Sequence, residues 1–288
     1  MIGILNILKP TGMTSHDVVN TVRKTLNIKK AGHAGTLDPN AAGVLVICVG
    51  KATKFSEYLM SGDKEYICEL VLGKSTDTQD SYGMVTNKSE NVSVTMEELN
   101  EVLEEFTGEL IQIPPAYSAV KLKGKKLYEY ARQNIQVEKE GRKINIIDIK
   151  LLKFNGNSAL LKVKCSKGTY MRTLCNDIGN SLGTFGHMGI LIRTESKGLH
   201  INNSVTLEQL KFLNDTNRLK ECLIPVEDIY ELDKITVQPQ HYDRLTAGNA
   251  VDAGINLISD EIYVYCRNKL IGIGEIKDGK VKIDKMLI

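Results

Sequence analysis

Gly32-His33-Ala34-Gly35-Thr36-Leu37-Asp38-Pro39-Asn40-Ala41-Ala42-Gly43 runs without a break into Val44-Leu45-Val46-Ile47-Cys48-Val49. Glycines and a proline punctuate the first part into a tight turn that presents one carboxylate, Asp38. Pro39 fixes its own φ and steers Asp38 away from the α region. Gly35 and Gly43 permit backbone conformations or close approaches that a Cβ would block. The apolar run behind them reads as a buried strand. A carboxylate on a rigid turn at the lip of such a strand is well placed to hold a catalytic group. The same residue types also build ordinary turns and caps, so the turn alone leaves both readings open.

Composition sets the frame around this turn. A chain of 288 residues has room for one large domain and a small one. Its 42% hydrophobic and 25% charged residues are those of an ordinary soluble globular protein. A net charge of +2 does not argue for nucleic acid, so any such partner must meet a local patch. The apolar residues 1–8 are broken by Gly3 and Asn6, with no basic segment before them, which argues against a signal peptide. No stretch approaches the ~20 apolar residues of a membrane span. Cys48, Cys68, Cys165, Cys175, Cys222 and Cys266 form no C-x-x-C pair, and several sit in apolar runs. Buried, reduced thiols, no structural metal and a cytoplasmic location are the expectation.

Along the chain, residues 3–8 read as a short strand and Ser15 as the cap of a helix with Val18, Val19, Val22 and Leu26 inward. Residues 64–73 alternate, with Tyr66, Cys68, Leu70 and Leu72 on one face. Thr95-Met96-Glu97-Glu98 is a capping box that opens a helix with Met96, Leu99, Val102, Leu103 and Phe106 inward. Residues 144–149 and 159–165 are strands, and residues 166–174 turn into a helix carrying Leu174, Ile178 and Leu182 on one face. A second capping box at Thr206 starts another helix, and residues 224–227 look like a linker. From about residue 234 short alternating strands predict a small β module.

One stretch supplies the patch that the net charge hides. Lys121, Lys123, Lys125, Lys126 and Arg132 follow a Pro-locked segment and are interleaved with Tyr128 and Tyr130. Phosphate contacts need such cations, because counterion release supplies most of the affinity for nucleic acid. A run of charges is also what any solvated face carries.

The turn resembles the catalytic block of the bacterial tRNA pseudouridine-55 synthases (the TruB family), GH-x-G-x-LDP-x-A-x-G-V/L-L, over its full length. Further motifs of that family follow in the same order: Lys9-Pro10-x-Gly12-x-Thr14-Ser15-His16-Asp17, the Tyr66 strand with its TDT-x-D-x-x-G loop, and Ser166-x-Gly168-Thr169-Tyr170-x-Arg172-x-Leu174. The chain departs from the family's Leu-Arg-Arg stretch at Ile192, between Leu191 and Arg193. The resemblance implies an α+β fold of the pseudouridine-synthase type. Its sheet would be mixed and mainly antiparallel, flanked by helices, with a small PUA-like β module at the C-terminus. Residues 1–233 would be catalytic, with an RNA-gripping insertion at about 121–143, and residues 234–288 the module.

It also implies isomerisation of a T-loop uridine, with tRNA as partner, no metal or other cofactor, no obligatory protein partner and a monomeric state. Asp38 would be the catalytic residue, as nucleophile or as ribose-proton acceptor. Arg172 would pair with it, Tyr66 would stack on the base, and Tyr170 and Leu191 would wall the pocket. His33 would fill the space that the base vacates, or contact it. Two other classes fit the residues: a hydrolase pairing Asp38 with Asp77 or Asp80, and a tRNA-binding or chaperoning protein without chemistry.

Overall fold

The apolar run at 44–49 is buried on both faces, as a run without alternation requires. In the computed structural model, which describes residues 1–122, 124–133, 135, 137–255 and 257–288, it lies inside a ten-stranded sheet. In chain order the first strands are β1 (Gly3–Lys9), β2 (Ala31–His33), β3 (Ala42–Val49) and β4 (Lys64–Leu72). Two strands outside the sheet follow, β5 (Lys74–Thr76) and β6 (Val85–Lys88), then β7 (Gly108–Gln112). A second outlying pair is β8 (Lys121–Leu122) with β9 (Lys125–Lys126). Then come β10 (Arg142–Phe154), β11 (Ser158–Cys165), β12 (Gly186–Ser196), β13 (Leu199–His200) and β14 (Leu223–Ile224). The order across the sheet is β14-β1-β3-β12-β4-β11-β10-β7, with β2 on β3 and β13 on β12. Among the described strands of this sheet, β12 and β3 alone pair in parallel, at Ile192–Ala42 and Arg193–Gly43. The mixed, mainly antiparallel sheet is therefore present, and its parallel seam falls beside the Asp38 turn.

Alternation divides β3 between two cores. Leu45 and Ile47 face α1 (Ser15–Thr25) and α6 (Leu207–Asp215), packing with Val18, Val22 and Leu210. Val44, Val46 and Cys48 face the other way, onto Phe55, which precedes α2 (Ser56–Ser61), and onto the C-terminal strands. A third core lies where α3 (Met96–Glu105) and α5 (Met171–Ser181) cover β4, β10 and β11. There Leu99, Leu174 and Ile178 pack on Cys68, Leu161 and Val163. The alternation expected of β4 holds along its whole length.

Three local expectations need correction. The cap of α1 is Thr14, which exchanges hydrogen bonds with Asp17, so Ser15 is a helical residue with its hydroxyl free for other use. Met96, expected inward, opens α3 and is exposed, while Leu99 and Leu103 carry the buried face of the helix. The 224–227 segment is not a free linker: Ile224 pairs with Ile4 and Val226 is buried in the shared core.

Strands β15 (Lys234–Val237), β16 (Val251–Asp252), β17 (Ser259–Cys266), β18 (Lys269–Lys277) and β19 (Lys280–Met286) form a second sheet, in the order β15-β17-β18-β19-β16. Arg267 and Asn268, at φ of +52° and +57°, make the tight β17–β18 hairpin. Tyr263, Ile273 and Leu287 share one core with Ile4, Val44 and Val46. No helix among the described residues is long and apolar enough to cross a membrane.

Candidate active site

The Asp38 turn is fastened from three sides. The hydroxyl of Ser15 donates to the carbonyl of Leu37 at 3.0 Å and accepts from its amide at 2.9 Å. The ammonium of Lys9, at the end of β1, donates to the carbonyls of Pro10 (2.8 Å), Pro39 (3.0 Å) and Ala41 (2.7 Å). Arg193, on β12, donates from Nε to the Val44 carbonyl at 2.8 Å and from Nη2 to the Gly35 carbonyl at 3.1 Å. Its Nη1 lies 3.4 Å from the Thr36 carbonyl. Gly35 and Gly43, at φ of +112° and +111°, adopt the conformations for which the sequence reserves glycine.

Lys9 and Arg193 are both fully buried, and the sequence reading assigned neither a role. A buried cation is tolerated where carbonyls replace its water, and here all of the replacement carbonyls but that of Pro10 belong to the Asp38 loop or the start of β3. Burial pushes Lys9 down to about 8; Arg193 acts in the same direction and Asp38 against it. The legible signal was Arg193 in an apolar strand beside Ile192, and Lys9 at the end of another.

Arg172 approaches Asp38 with two nitrogens, Nε to Oδ2 at 2.9 Å and Nη2 to Oδ1 at 3.4 Å. Its remaining capacity goes to the carbonyls of Tyr117 (2.9 Å) and Thr78 (3.3 Å). The guanidinium is 7% exposed and the carboxylate 39%, so the cation forms the floor and the carboxylate faces open space. Arg172 is the second residue of α5. The start of that helix is held by Gln112, whose side-chain amide accepts from the Tyr170 amide at 2.8 Å and donates to its carbonyl at 3.1 Å. Gln112 is buried at the end of β7, and no motif or periodicity points to this clamp.

Asp38, Arg172 and Leu191 line one cavity of about 250 Å³, together with Arg132, Tyr117, Tyr128 and Tyr82. Asp80 also borders it, but its Oδ1 accepts from the Thr78 hydroxyl at 2.6 Å and the Tyr82 amide at 3.0 Å. Asp77 is likewise engaged, accepting from the Met84 amide at 2.8 Å. Both carboxylates brace their own loop. A hollow of similar volume, about 260 Å³, lies on the second sheet near Glu261, Glu275 and Lys282 and shares no residue with the Asp38 cavity.

Of the other expected residues, Arg132 lines this cavity, whereas Tyr66, Tyr170, His33, Lys121, Lys125 and Lys126 are not part of its lining. Tyr66 is buried opposite Arg193, in the core that also holds Leu37, Ala41 and Leu191, and burial pushes its phenol up. Tyr170 is half-buried at the N-cap of α5. His33 lies on β2 opposite Ile47, with Nδ1 buried and lacking a hydrogen-bond partner among the described residues. Burial, with Arg193 second, holds its imidazole below the usual range. Lys121 and Lys125 are exposed on the β8–β9 hairpin. Lys126 and Arg132 flank the Tyr128 ring, at 5.5 and 5.3 Å, across α4 (Leu127–Ala131). Lys123, expected to act with them, lies outside the described residues.

Chemically, the site offers a carboxylate aimed by a buried guanidinium at a small cavity with aromatic and basic walls. That arrangement suits attack on, or proton removal from, a compact group carried by an anionic polymer.

Known proteins give this geometry its relatives. A family model described as TruB family pseudouridylate synthase (N terminal domain) matches residues 23–171, and one described as tRNA pseudouridylate synthase B C-terminal domain matches residues 172–231. The tRNA pseudouridine synthase B of Alkaliphilus oremlandii is 43% identical over 285 residues, covering 96% of this chain and 94% of the relative. The protein of the same name from Clostridium tetani is 42% identical over 294 residues, with all of both chains covered. Among solved structures, a chain of a Cbf5-Nop10-Gar1 complex superposes with a TM-score of 0.73 at 28% identity, over 99% of this chain and 85% of that one. A chain of an H/ACA RNP bound to a substrate RNA containing 2'-deoxyuridine gives 0.71 at 26%, with the same coverage. Relatives alike over nearly the whole length, and a family model spanning the Asp38 turn, lead to one statement: the chain belongs to the TruB family of pseudouridylate synthases.

Proposed function

We propose that this chain isomerises uridine to pseudouridine in tRNA, and that its target is the T-loop uridine at position 55. The observation that carries the reading is the Asp38–Arg172 pair, with its carboxylate open to a cavity and its cation buried. In the reaction the N1–C1′ bond breaks, the detached uracil turns, and a C5–C1′ bond forms. The C5 hydrogen leaves as a proton and N1 ends with one, so the atoms balance and no electrons are exchanged. Asp38 either attacks C1′ or removes a ribose proton; both need it ionised, aimed and shielded from competing donors. Arg172 aims it through the two-pronged contact.

The target base must leave its loop, which costs a few kcal/mol, offset by stacking and edge contacts in the pocket. Tyr66 would stack on the base, Tyr170 and Leu191 would wall that pocket, and His33 would occupy the space the base vacates or contact it. Lys121, Lys125, Lys126 and Arg132 would neutralise phosphates beside the cavity. The second sheet, residues 234–288, would be a further RNA-contacting module beside a catalytic unit of residues 1–233. A monomer acting in the cytoplasm without a protein partner completes the reading.

The test is tritium release from a tRNA transcript carrying [5-³H]uridine, with EDTA present, using purified wild type and Asp38→Ala. Release by wild type and none by the variant, with the product mapped to position 55, is expected. A folded wild type that binds the transcript and releases nothing would sink this reading in favour of a binding protein without chemistry.

A further inference from the structure

We infer that Tyr82 is a stacking platform at the mouth of the Asp38 cavity, holding a nucleobase adjacent in sequence to the uridine that enters it. The inference rests on the synthase reading above and adds a residue that selects how the RNA strand is laid down.

The cavity volume, about 250 Å³, lies below the ~300–1,000 Å³ of clefts that enclose drug-sized ligands. It suits one base and not a run of strand. The nucleotides on either side of the target must therefore lie on the rim. Tyr82 stands on that rim with 69% of its surface exposed. Among the described residues its ring stacks on no other aromatic side chain and its hydroxyl makes no hydrogen bond. A large aromatic side chain left mostly open in this way contributes little to the packing of the fold.

Its backbone, in contrast, is tightly held. Asp80 accepts from the Tyr82 amide at 3.0 Å, and the Thr76 hydroxyl donates to the Asp80 carbonyl at 2.7 Å. Ser81 donates its amide to the Met188 carbonyl, and Met188 donates its own to the Gln79 carbonyl, both at 3.0 Å. Gln79 takes φ of +61° and receives the Thr173 hydroxyl at 2.9 Å on its side chain. Arg172 donates to the Thr78 carbonyl at 3.3 Å. The guanidinium that aims Asp38 thus also holds the loop that displays Tyr82.

An aromatic side chain on a pre-ordered loop loses little entropy on binding. It offers a face on which any base can stack, which fits a role in placing the strand rather than reading its sequence. RNA is the occupant favoured over a protein, because the same cavity wall carries Arg132 and Tyr128, with Lys126 beside that ring.

The experiment uses the full chain as wild type, Tyr82→Ala, Tyr82→Leu and Tyr82→Phe. The probes are a tRNA transcript with 2-aminopurine at either neighbour of the target, for affinity and fluorescence, and the [5-³H]uridine transcript for single-turnover rates. Tyr82→Ala is expected to weaken binding by roughly 5- to 150-fold, the worth of one stacked base, and to restore 2-aminopurine emission at one neighbour. The rate at saturating enzyme should fall by less than the affinity. Tyr82→Phe should recover both signals and Tyr82→Leu neither. A Tyr82→Ala variant that binds and quenches like wild type overturns the platform and leaves the synthase reading standing. So does rescue by leucine as complete as rescue by phenylalanine, which would mean apolar packing rather than stacking. A wild type that releases no tritium overturns both.

Discussion

The backbone of Arg193 lies so close to Gly43 that a Cβ at position 43 would overlap the Arg193 carbonyl and amide. This is the parallel seam between β12 and β3. The side chain of the same arginine turns back to the carbonyls of Gly35, Thr36 and Val44. One residue thus holds both ends of the loop that carries Asp38, with its main chain at the exit and its guanidinium at the entrance.

Gly43→Ala should therefore damage both fold and site. Overpacking of a filled position costs typically about 1–3 kcal/mol, and an alanine at φ of +111° adds strain. The expected outcome is a fall in the urea midpoint together with a loss of tritium release at temperatures where the variant is still folded. Arg193→Lys tests the side chain alone. It keeps the charge but loses the fork, and displacement of the reacting carboxylate by about an ångström is worth roughly a hundredfold in rate. Wild-type turnover by Arg193→Lys would show that Lys9 and Ser15 suffice to hold the loop.

Arg172→Lys probes the other arginine. A lysine can approach Asp38 but cannot bond at the same time to the carbonyls of Tyr117 and Thr78 in the observed geometry. Those carbonyls would be left short of a donor in a site where the native side chain is 7% exposed. A loss of roughly a hundredfold in the single-turnover rate is expected, with a smaller effect on affinity for tRNA, because the guanidinium is 7% exposed and its bonds go to Asp38, Tyr117 and Thr78. Arg172→Met, which leaves Asp38 without its partner, should be worse. If the two variants were equal, charge would contribute nothing beyond shape.

The elements that periodicity governs were legible in the sequence: the unbroken apolar β3, the alternating β4, and the capped α3 and α6. So was the pairing of Asp38 with Arg172, because the motifs that carry them are long and specific. What escaped was long-range polar contact. Lys9, Gln112 and Arg193 read as ordinary residues because their partners are main-chain groups, most of them far along the chain, and a main-chain group has no letter in a sequence. The Thr14 cap was missed for a related reason. Thr14 and Ser15 are both good caps, and what decides between them is the Ser15 bond to Leu37, a contact between segments 22 residues apart. The basic stretch was found by composition, but its folding onto the rim, with Arg132 in the cavity wall, was visible only in three dimensions.

The exposed hairpin lysines can be examined by salt dependence. If Lys121 and Lys125 neutralise phosphates, each should add about 0.7–0.9 to the slope of log affinity against log salt. Lys121→Ala with Lys125→Ala should flatten the slope for a tRNA transcript by roughly twice that amount. Parallel lines for wild type and the double variant would remove these residues from the RNA interface.

Lys9 gives a prediction whose sign differs for stability and activity. Burial lowers the folded-state value from 10.5 to about 8, whereas an unfolded lysine keeps its ordinary value near 10.4. Between about 8 and 10.5 the unfolded chain binds more protons at this residue, so its contribution to stability rises with pH through that window. Lys64, also lowered to about 8, acts in the same direction, while Cys48 and Cys165, raised to about 12, act in the opposite one. The comparison is therefore with Lys9→Met, in which the other groups cancel: wild type should gain urea midpoint relative to the variant between about pH 7.5 and 9.5. Activity should move the other way. The ammonium has three N–H donors for the carbonyls of Pro10, Pro39 and Ala41, and the neutral amine has one fewer. The loop around Asp38 would loosen as the proton leaves, giving the single-turnover rate an alkaline limb with a midpoint near 8 that is absent in Lys9→Met. A wild-type rate that stays flat through this window, while the stability difference grows as expected, would mean that two of the three bonds already hold Asp38 in place.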